Sequence, residues 1–271
     1  MAQLNFIDTH THLYDEAYGE NGQTADDAVR RAVEAGVMQL ILPDTDSSVR
    51  EGMIALARRH PSVCRFCIGL HPTEFTAQNF DDEMEKVLRA AYLYKEEMAA
   101  VGEIGLDYYW SRELIGLQKK AFREQVLLAD ALDKPILIHC RQAMEDTLEI
   151  LRETATEATR GIFHAYGGSL ESYWEIQKIG RFYLGIGGVV TFKNAGLAKV
   201  VEQVPLEDLV LETDAPYLTP VPHRGERNES AYIPLIAAKI AEIKGISVEK
   251  VAEVTTRNAS SLFFSARNFG N

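Results

Sequence analysis

The chain has 271 residues, 46% of them hydrophobic and 25% charged, with a formal net charge of −12. That apolar fraction supplies a sizeable core and excludes a disordered chain. The acidic balance excludes a protein that coats nucleic acid through a general basic surface, though not an enzyme that grips one phosphate or a short strand end. No run of about 18 apolar residues is present, so no membrane-crossing helix is expected. The start, Met1 to Asn5, has no basic region followed by an apolar stretch and does not read as a signal peptide. Cys64, Cys67 and Cys140 are few and odd in number, which fits a reduced cytoplasm.

In chain order, Leu4–Asp8 reads as the first strand and Asp26–Ala35 as a helix. Met38–Leu42 is the second strand, followed by a helix over Val49–Arg59 that Pro61 stops. Cys64–Leu70 is the third strand, with a helix over Glu83–Tyr94. Met98–Ile104 is the fourth. The helix after it places Leu117, Ala121, Leu128 and Leu132 on one face. Ile136–His139, Gly161–His164, Phe182–Ile186 and Leu209–Glu212 are strands five to eight. Helices over Met144–Glu153, Leu170–Ile179 and Ala195–Gln203 separate them. Two C-terminal helices follow, the first with an apolar stripe of Ile233, Ile236, Ala237 and Ile240. Eight strands alternating with helices, with no linker or composition break, predict one domain over 1–271: an α/β chain folded as a (β/α)8 TIM barrel.

The strands finish on residue types that bind metals. His10 and His12 stand two apart, so both point to one face if the strand continues through them. Glu103 and Asp107 close the fourth strand region, His139 the fifth, His164 the sixth, and Glu212 and Asp214 the eighth. A lone strand-end histidine is usually structural, and a lone carboxylate is often a helix cap or an ion-pair member. Six of these, His10, His12, Glu103, His139, His164 and Asp214, exceed at one rim what one tetrahedral zinc needs. Glu103, the acidic member from the middle strands, is the best bridge between two ions, and two ions can clamp a displacement at phosphorus. Asp214 could hold one ion and also accept a proton from the attacking water. With no thiolate in the set, Zn, Mn, Co and Mg are all suitable.

Around these residues, His71 is read as either a substrate-facing proton donor or a group behind the ligands. Arg141, two after His139, suits bidentate phosphate binding, against an ion pair with Glu103 or Asp107. Asp107 and Asp8 are candidates to orient a histidine, and Glu212 is expected to orient neighbours rather than bind metal. The loop Thr219–Asn228 brings His223, Arg224 and Arg227 to the rim. Tyr108, Tyr109 and Trp110 offer stacking on an unpaired base or packing on a neighbouring loop. Cys64 and Cys67, three apart in a strand, face opposite sides and are not read as a redox pair.

The motifs Asp8-Thr9-His10-Thr11-His12-Leu13, Gly69-Leu70-His71-Pro72, Gly102-Glu103-Ile104-Gly105-Leu106-Asp107, His139-Cys140-Arg141, Phe163-His164, Glu212-Thr213-Asp214-Ala215-Pro216 and Arg224-Gly225-x-x-Asn228 together resemble the TatD-related DNases, a family of metal-dependent hydrolase barrels. The resemblance spans residue 6 to about residue 264. It implies two divalent ions, usually Mg or Mn. His10, His12 and Asp214 would hold the first, His139 and His164 the second, and Glu103 would bridge them. It also implies hydrolysis of DNA phosphodiesters, often 3′→5′ on single strands. Asp214, Glu103 and His71 are then the catalytic candidates, and Arg141, Arg224 and Tyr166 the substrate contacts. One departure is visible: the family commonly has Cys-Phe-Ser-Gly where Ala165-Tyr166-Gly167-Gly168 stands, which bears on substrate preference. The alternatives are a binuclear amidohydrolase acting on a small amide, lactone or phosphoester, and a binding module without catalysis. Strand four offers Glu103 and strand five has no terminal lysine, which favours the first reading. Sequence leaves the oligomeric state open.

Overall fold

The computed structural model describes residues 4–110 and 112–264; the first three residues of the start discussed above lie outside them. Among the described residues eight strands form: β1 Phe6–Asp8, β2 Val37–Leu42, β3 Cys64–Phe66, β4 Val101–Asp107, β5 Ile136–Arg141, β6 Arg160–Phe163, β7 Arg181–Ile186 and β8 Leu209–Leu211. The helices between and after them are α1 Ala25–Glu34, α2 Arg50–Arg59, α3 Phe80–Leu93, α4 Ile115–Ala131, α5 Met144–Thr154, α6 Leu170–Gln177, α7 Leu197–Gln203, α8 Ile233–Lys244 and α9 Val248–Phe263. Every strand pair is parallel.

Two seams join the runs β1–β3 and β4–β8 into a closed barrel. Thr9 N donates to Leu211 O at 3.0 Å, and Thr11 bridges Ala215. On the other side Ala99 N donates to Phe66 O at 2.8 Å, Gly102 N to Ile68 O at 2.9 Å, and Ile68 bridges Val101. The expected barrel is therefore present.

Local chemistry sets the helix starts. α1 opens on a capping box in which Thr24 Oγ1 accepts from Asp27 N and the Asp27 carboxylate accepts from Thr24 N. Ser247 caps α9, and α8 ends on Gly245 in the left-handed conformation.

The barrel interior has two layers. Ile7, Ile41, Cys67, Ala100, Leu137, Ile162, Tyr183 and Val210, about one from each strand, form a separate apolar cluster with Ala259, Leu262 and Phe263 of α9, whose end closes the lower mouth. Two residues further along, on the same strand face, stand His139, His164, Gly185 and Glu212. Gly185 is required there: a Cβ would sit 2.0 Å from Glu212 Oε2.

Several strand ends differ from expectation. β1 and β3 are shorter, whereas β4 and β5 run on because Gly105, Leu106 and Asp107 pair with His139, Cys140 and Arg141. Glu103 consequently lies within β4 and not at its end. Gly105, at φ 144°, allows the close pairing, since a Cβ there would meet His139 O at 1.9 Å.

Candidate metal centre

β1 stops at Asp8, so His10 and His12 sit on the chain leaving the strand. Backbone bonds keep that exit extended: Thr11 N donates to Ile41 O at 3.1 Å, and His12 N to Ala215 O at 2.7 Å. The two imidazoles still converge, their Nε2 atoms 3.2 Å apart. Two nitrogens bound to one ion at about 2.0–2.1 Å and the tetrahedral angle would be about 3.4 Å apart, so this spacing fits shared coordination. Asp214, at φ 56°, is anchored by its own N–H to His10 O at 2.9 Å and brings Oδ1 to 3.5 Å from His12 Nε2.

Glu103 occupies the middle, 3% exposed. Its Oε2 is 3.1 Å from His10 Nε2 and 3.7 Å from His12 Nε2. Its Oε1 is 2.9 Å from His139 Nδ1, 3.5 Å from His71 Nε2 and 3.8 Å from His164 Nε2. His164 stacks on His10 with ring centres 3.4 Å apart, and its Nε2 is 3.7 Å from Asp214 Oδ1. Three overlapping donor groups result: His10–His12–Asp214, His10–Glu103–His164 and His71–Glu103–His139. No lysine or arginine stands among these donors, so divalent cations suit their charge and chemistry.

Neighbouring groups orient the rings. Tyr14 donates its only hydroxyl proton to Pro43 O, so it accepts from His12 Nδ1 at 2.8 Å and leaves the Nε2 lone pair facing the cluster. Tyr14 was not singled out from sequence, although its place two residues after His12 was the available signal. Asp107 Oδ2 binds His139 Nε2 at 2.8 Å, which turns Nδ1 toward Glu103. Glu212 Oε1 lies 3.1 Å from His164 Nδ1, off the line of a hydrogen bond, and accepts from Ala165 N at 2.7 Å. Asp8 does something else. Its carboxylate accepts from His10 N, Thr213 N and Thr213 Oγ1, stitching β1 to the exit of β8 and leaving the imidazole alone.

Burial opposes charge on Glu103, but His10, His71 and His164 around it hold its carboxyl well below the usual range. Asp214 is likewise depressed, chiefly by His164 against its own burial. For His164, burial favours the neutral ring, yet Glu212, Asp214 and Glu103 raise it to about 10. Asp107 and Glu103 raise His139 against the same opposition from burial. Burial lowers His71 to about 3, and burial together with His164 lowers His10. The metal-free cluster thus pairs ionised carboxylates with a protonated His164 ring, and a divalent ion would take the place of that proton.

The model of the TatD related DNase family matches residues 7–264. The chain belongs to the TatD related DNase family. It is 38% identical over 259 residues to the uncharacterized metal-dependent hydrolase YabD of Bacillus subtilis, covering 95% of this chain and 98% of that one. It is 35% identical over 258 residues to the uncharacterized metal-dependent hydrolase YcfH of Escherichia coli, covering 95% of each. The crystal structure of YJJV, a TatD homolog from Escherichia coli, matches with a TM-score of 0.86 at 26% identity, over 95% of this chain and 97% of that one. This chain is accordingly a TatD-family metal-dependent hydrolase.

Around the centre of this TatD-family barrel, the rim residues divide. The Arg141 guanidinium carbon lies 3.8 Å from the centre of the Tyr109 ring and 5.4 Å from that of Trp110, which is 68% exposed. Among the described residues Arg141 makes no ion pair with Glu103 or Asp107; Asp107 instead spends Oδ1 on Tyr109 N and Trp110 N. Arg224 lies over Phe192 at 3.9 Å. Tyr166 is not brought together with these groups. It is 3% exposed, packs in the core and donates its hydroxyl to Ser169 O at 2.6 Å. Arg227 pairs with Glu229 at 3.0 Å and supports the loop. Cys64 and Cys67 are both free and buried, and burial raises both thiols, Cys64 to about 12. Among the described residues no helix is long and apolar enough to cross a membrane.

Proposed function

We propose that this chain hydrolyses DNA phosphodiesters as a deoxyribonuclease, shortening single strands from the 3′ end, with two divalent ions (Mg, Mn or Zn) at the rim. The observation that carries this reading is the division of Glu103: Oε2 faces His10 and His12 while Oε1 faces His139, His71 and His164. A carboxylate so placed suits a bridge between two ions. His10, His12 and Asp214 would hold one ion. His139 and His164 would hold the other, with His71, which burial keeps a neutral ring near pH 7, beside them as a further donor. Bound divalent ions supply polarisation of the phosphoryl group and a water acidic enough to attack near neutral pH.

The chain's own residues do the rest. Tyr14 and Asp107 fix which nitrogen His12 and His139 present. Asp214, ionised and close to His12 and His164, accepts the proton from the attacking water on its carboxylate. Arg141, seated over Tyr109, offers its N–H groups to a non-bridging phosphate oxygen, and exposed Trp110 supplies a face for an unpaired base. We read the chain as one catalytic domain acting in the cytoplasm, which its free, buried cysteines suit.

The test is degradation of 3′-labelled and 5′-labelled single-stranded DNA with Mg or Mn, beside chelated enzyme and Asp214→Asn. Metal-dependent shortening from the 3′ end that disappears in both controls is expected. Folded, metal-loaded protein that cleaves a small ester or amide but no DNA would overturn the reading in favour of a small-molecule hydrolase.

A further inference from the structure

The loops that follow β7 and β8 enclose an open recess of about 510 Å³ lined by Phe192, Lys193, Asn194, Ala195, Val221 and Arg224. Its size falls inside the roughly 300–1,000 Å³ range of small-ligand sites. Among the described residues, neither Lys193 nor Arg224 has a carboxylate within ion-pair distance. The acidic group nearest in sequence, Glu226, is engaged by His223 at 3.0 Å, and Arg227 by Glu229. A chain with a net charge of −12 thus leaves two cations unpaired in one concavity, which makes it locally attractive to an anion.

The recess is also held in shape. Val221 N donates to Thr191 Oγ1 at 2.9 Å, joining the two loops, and Thr219 Oγ1 donates to Glu226 O at 2.6 Å. Asn228 Nδ2 donates to Thr213 O at 2.8 Å, and His223 stacks on Tyr232 with rings 2° from parallel. The Arg224 guanidinium carbon lies 3.9 Å from the centre of the Phe192 ring, and with no carboxylate paired to it among the described residues its N–H groups are available for bidentate bonding. Both loops leave the carboxyl ends of parallel strands, the rim on which His164 and Asp214 stand. The loop that begins at Asp214 carries Arg224 itself.

We propose that this recess is a nucleotide subsite: Arg224 and Lys193 hold a phosphate of a nucleotide beyond the scissile bond, with its sugar and base against Ala195, Val221 and the Asn194 amide. It follows that the preferred substrate is a strand of several nucleotides and not a small phosphoester. The proposal rests on the phosphodiesterase reading and deepens it.

Steady-state kinetics of the metal-loaded full chain on a short single-stranded oligodeoxynucleotide and on bis(4-nitrophenyl) phosphate test it. Arg224→Ala is expected to lower kcat/KM for the oligonucleotide at least about tenfold more than for the small diester, mostly through KM. Lys193→Ala shifts the ratio in the same direction by less. Arg224→Lys, which keeps the charge and loses the flat fork, restores the ratio only in part. Equal changes on the two substrates, or none, would overturn the subsite while leaving the nuclease reading intact. A wild-type chain that cleaves the small diester and not the oligonucleotide would overturn both.

Discussion

In the lower half of the barrel interior, Leu137, Ile162 and Val210 meet the end of α9; two residues later, His139 in β5 and His164 and Glu212 just past the ends of β6 and β8 gather in the upper half. One strand face therefore serves two purposes a single step apart. The lower layer gains from burying apolar area, about 25 cal/mol per Å². The upper layer buries carboxylates and imidazoles at a desolvation cost that fixed partners and a bound cation must offset. The lesson is that stability and chemistry are separable along this barrel axis, although both are built from the same eight strands.

Glu103→Ala is the sharpest way to break that comparison. It removes the carboxylate on which both donor groups converge, and activity should fall to that of chelated enzyme with metal content reduced. Metal analysis and hydrolysis of DNA check it, and unchanged metal content would end the bridging role. In the lower layer, Leu137→Ala should cost about 2–5 kcal/mol of stability by opening a cavity beneath the centre, read as a lower denaturant midpoint. Activity per folded molecule should survive. If Glu103→Ala proved as destabilising as Leu137→Ala, the two layers would not be separable.

Asp107→Asn probes the seam between centre and rim. Without its carboxylate, His139 loses the partner that turns Nδ1 inward, and metal affinity should weaken by about 10–100-fold. Equilibrium metal titration measures this, and affinity equal to the wild type would show that packing alone orients the ring. The smallest effect is one of pH. In the metal-free chain His164 is raised to about 10, above the ordinary 6.5, so its contribution to stability is fully present below about pH 6.5 and lost as pH rises through about 10. A metal competes with that proton. Affinity should rise with pH across this window, and calorimetry in buffers of different ionisation enthalpy should register proton release on binding. Binding with no proton release would contradict the protonated ring.

Much of this was legible in the sequence, because strand, functional residue and helix recur in order and the ligand types are chemically distinctive. His10, His12, Glu103, His139, His164 and Asp214 do converge. What could not be read depended on pairings between distant segments. β4 and β5 extend past their expected ends because each supplies the other's hydrogen bonds. Tyr166 was expected at the substrate because it stands in the loop that follows His164, where the chain departs from the family motif. β6 ends at Phe163 and Ala165 takes φ 42°, which swings Tyr166 into the core. Tyr14 acts through a carbonyl 29 residues away, and no spacing rule reveals that.

The floor contributed by α9 has a consequence for the order in which the molecule is made. Thr9 Oγ1 bonds Leu211 O across 202 residues of sequence, and Ala259, Leu262 and Phe263 close the lower mouth. A chain emerging from the ribosome can assemble its β–α units one after another, but β1 must wait for β8, and the apolar interior stays open to water until the last helix arrives. Synthesis halted before that helix would release a molecule whose candidate ligand residues are all present and whose barrel has no bottom.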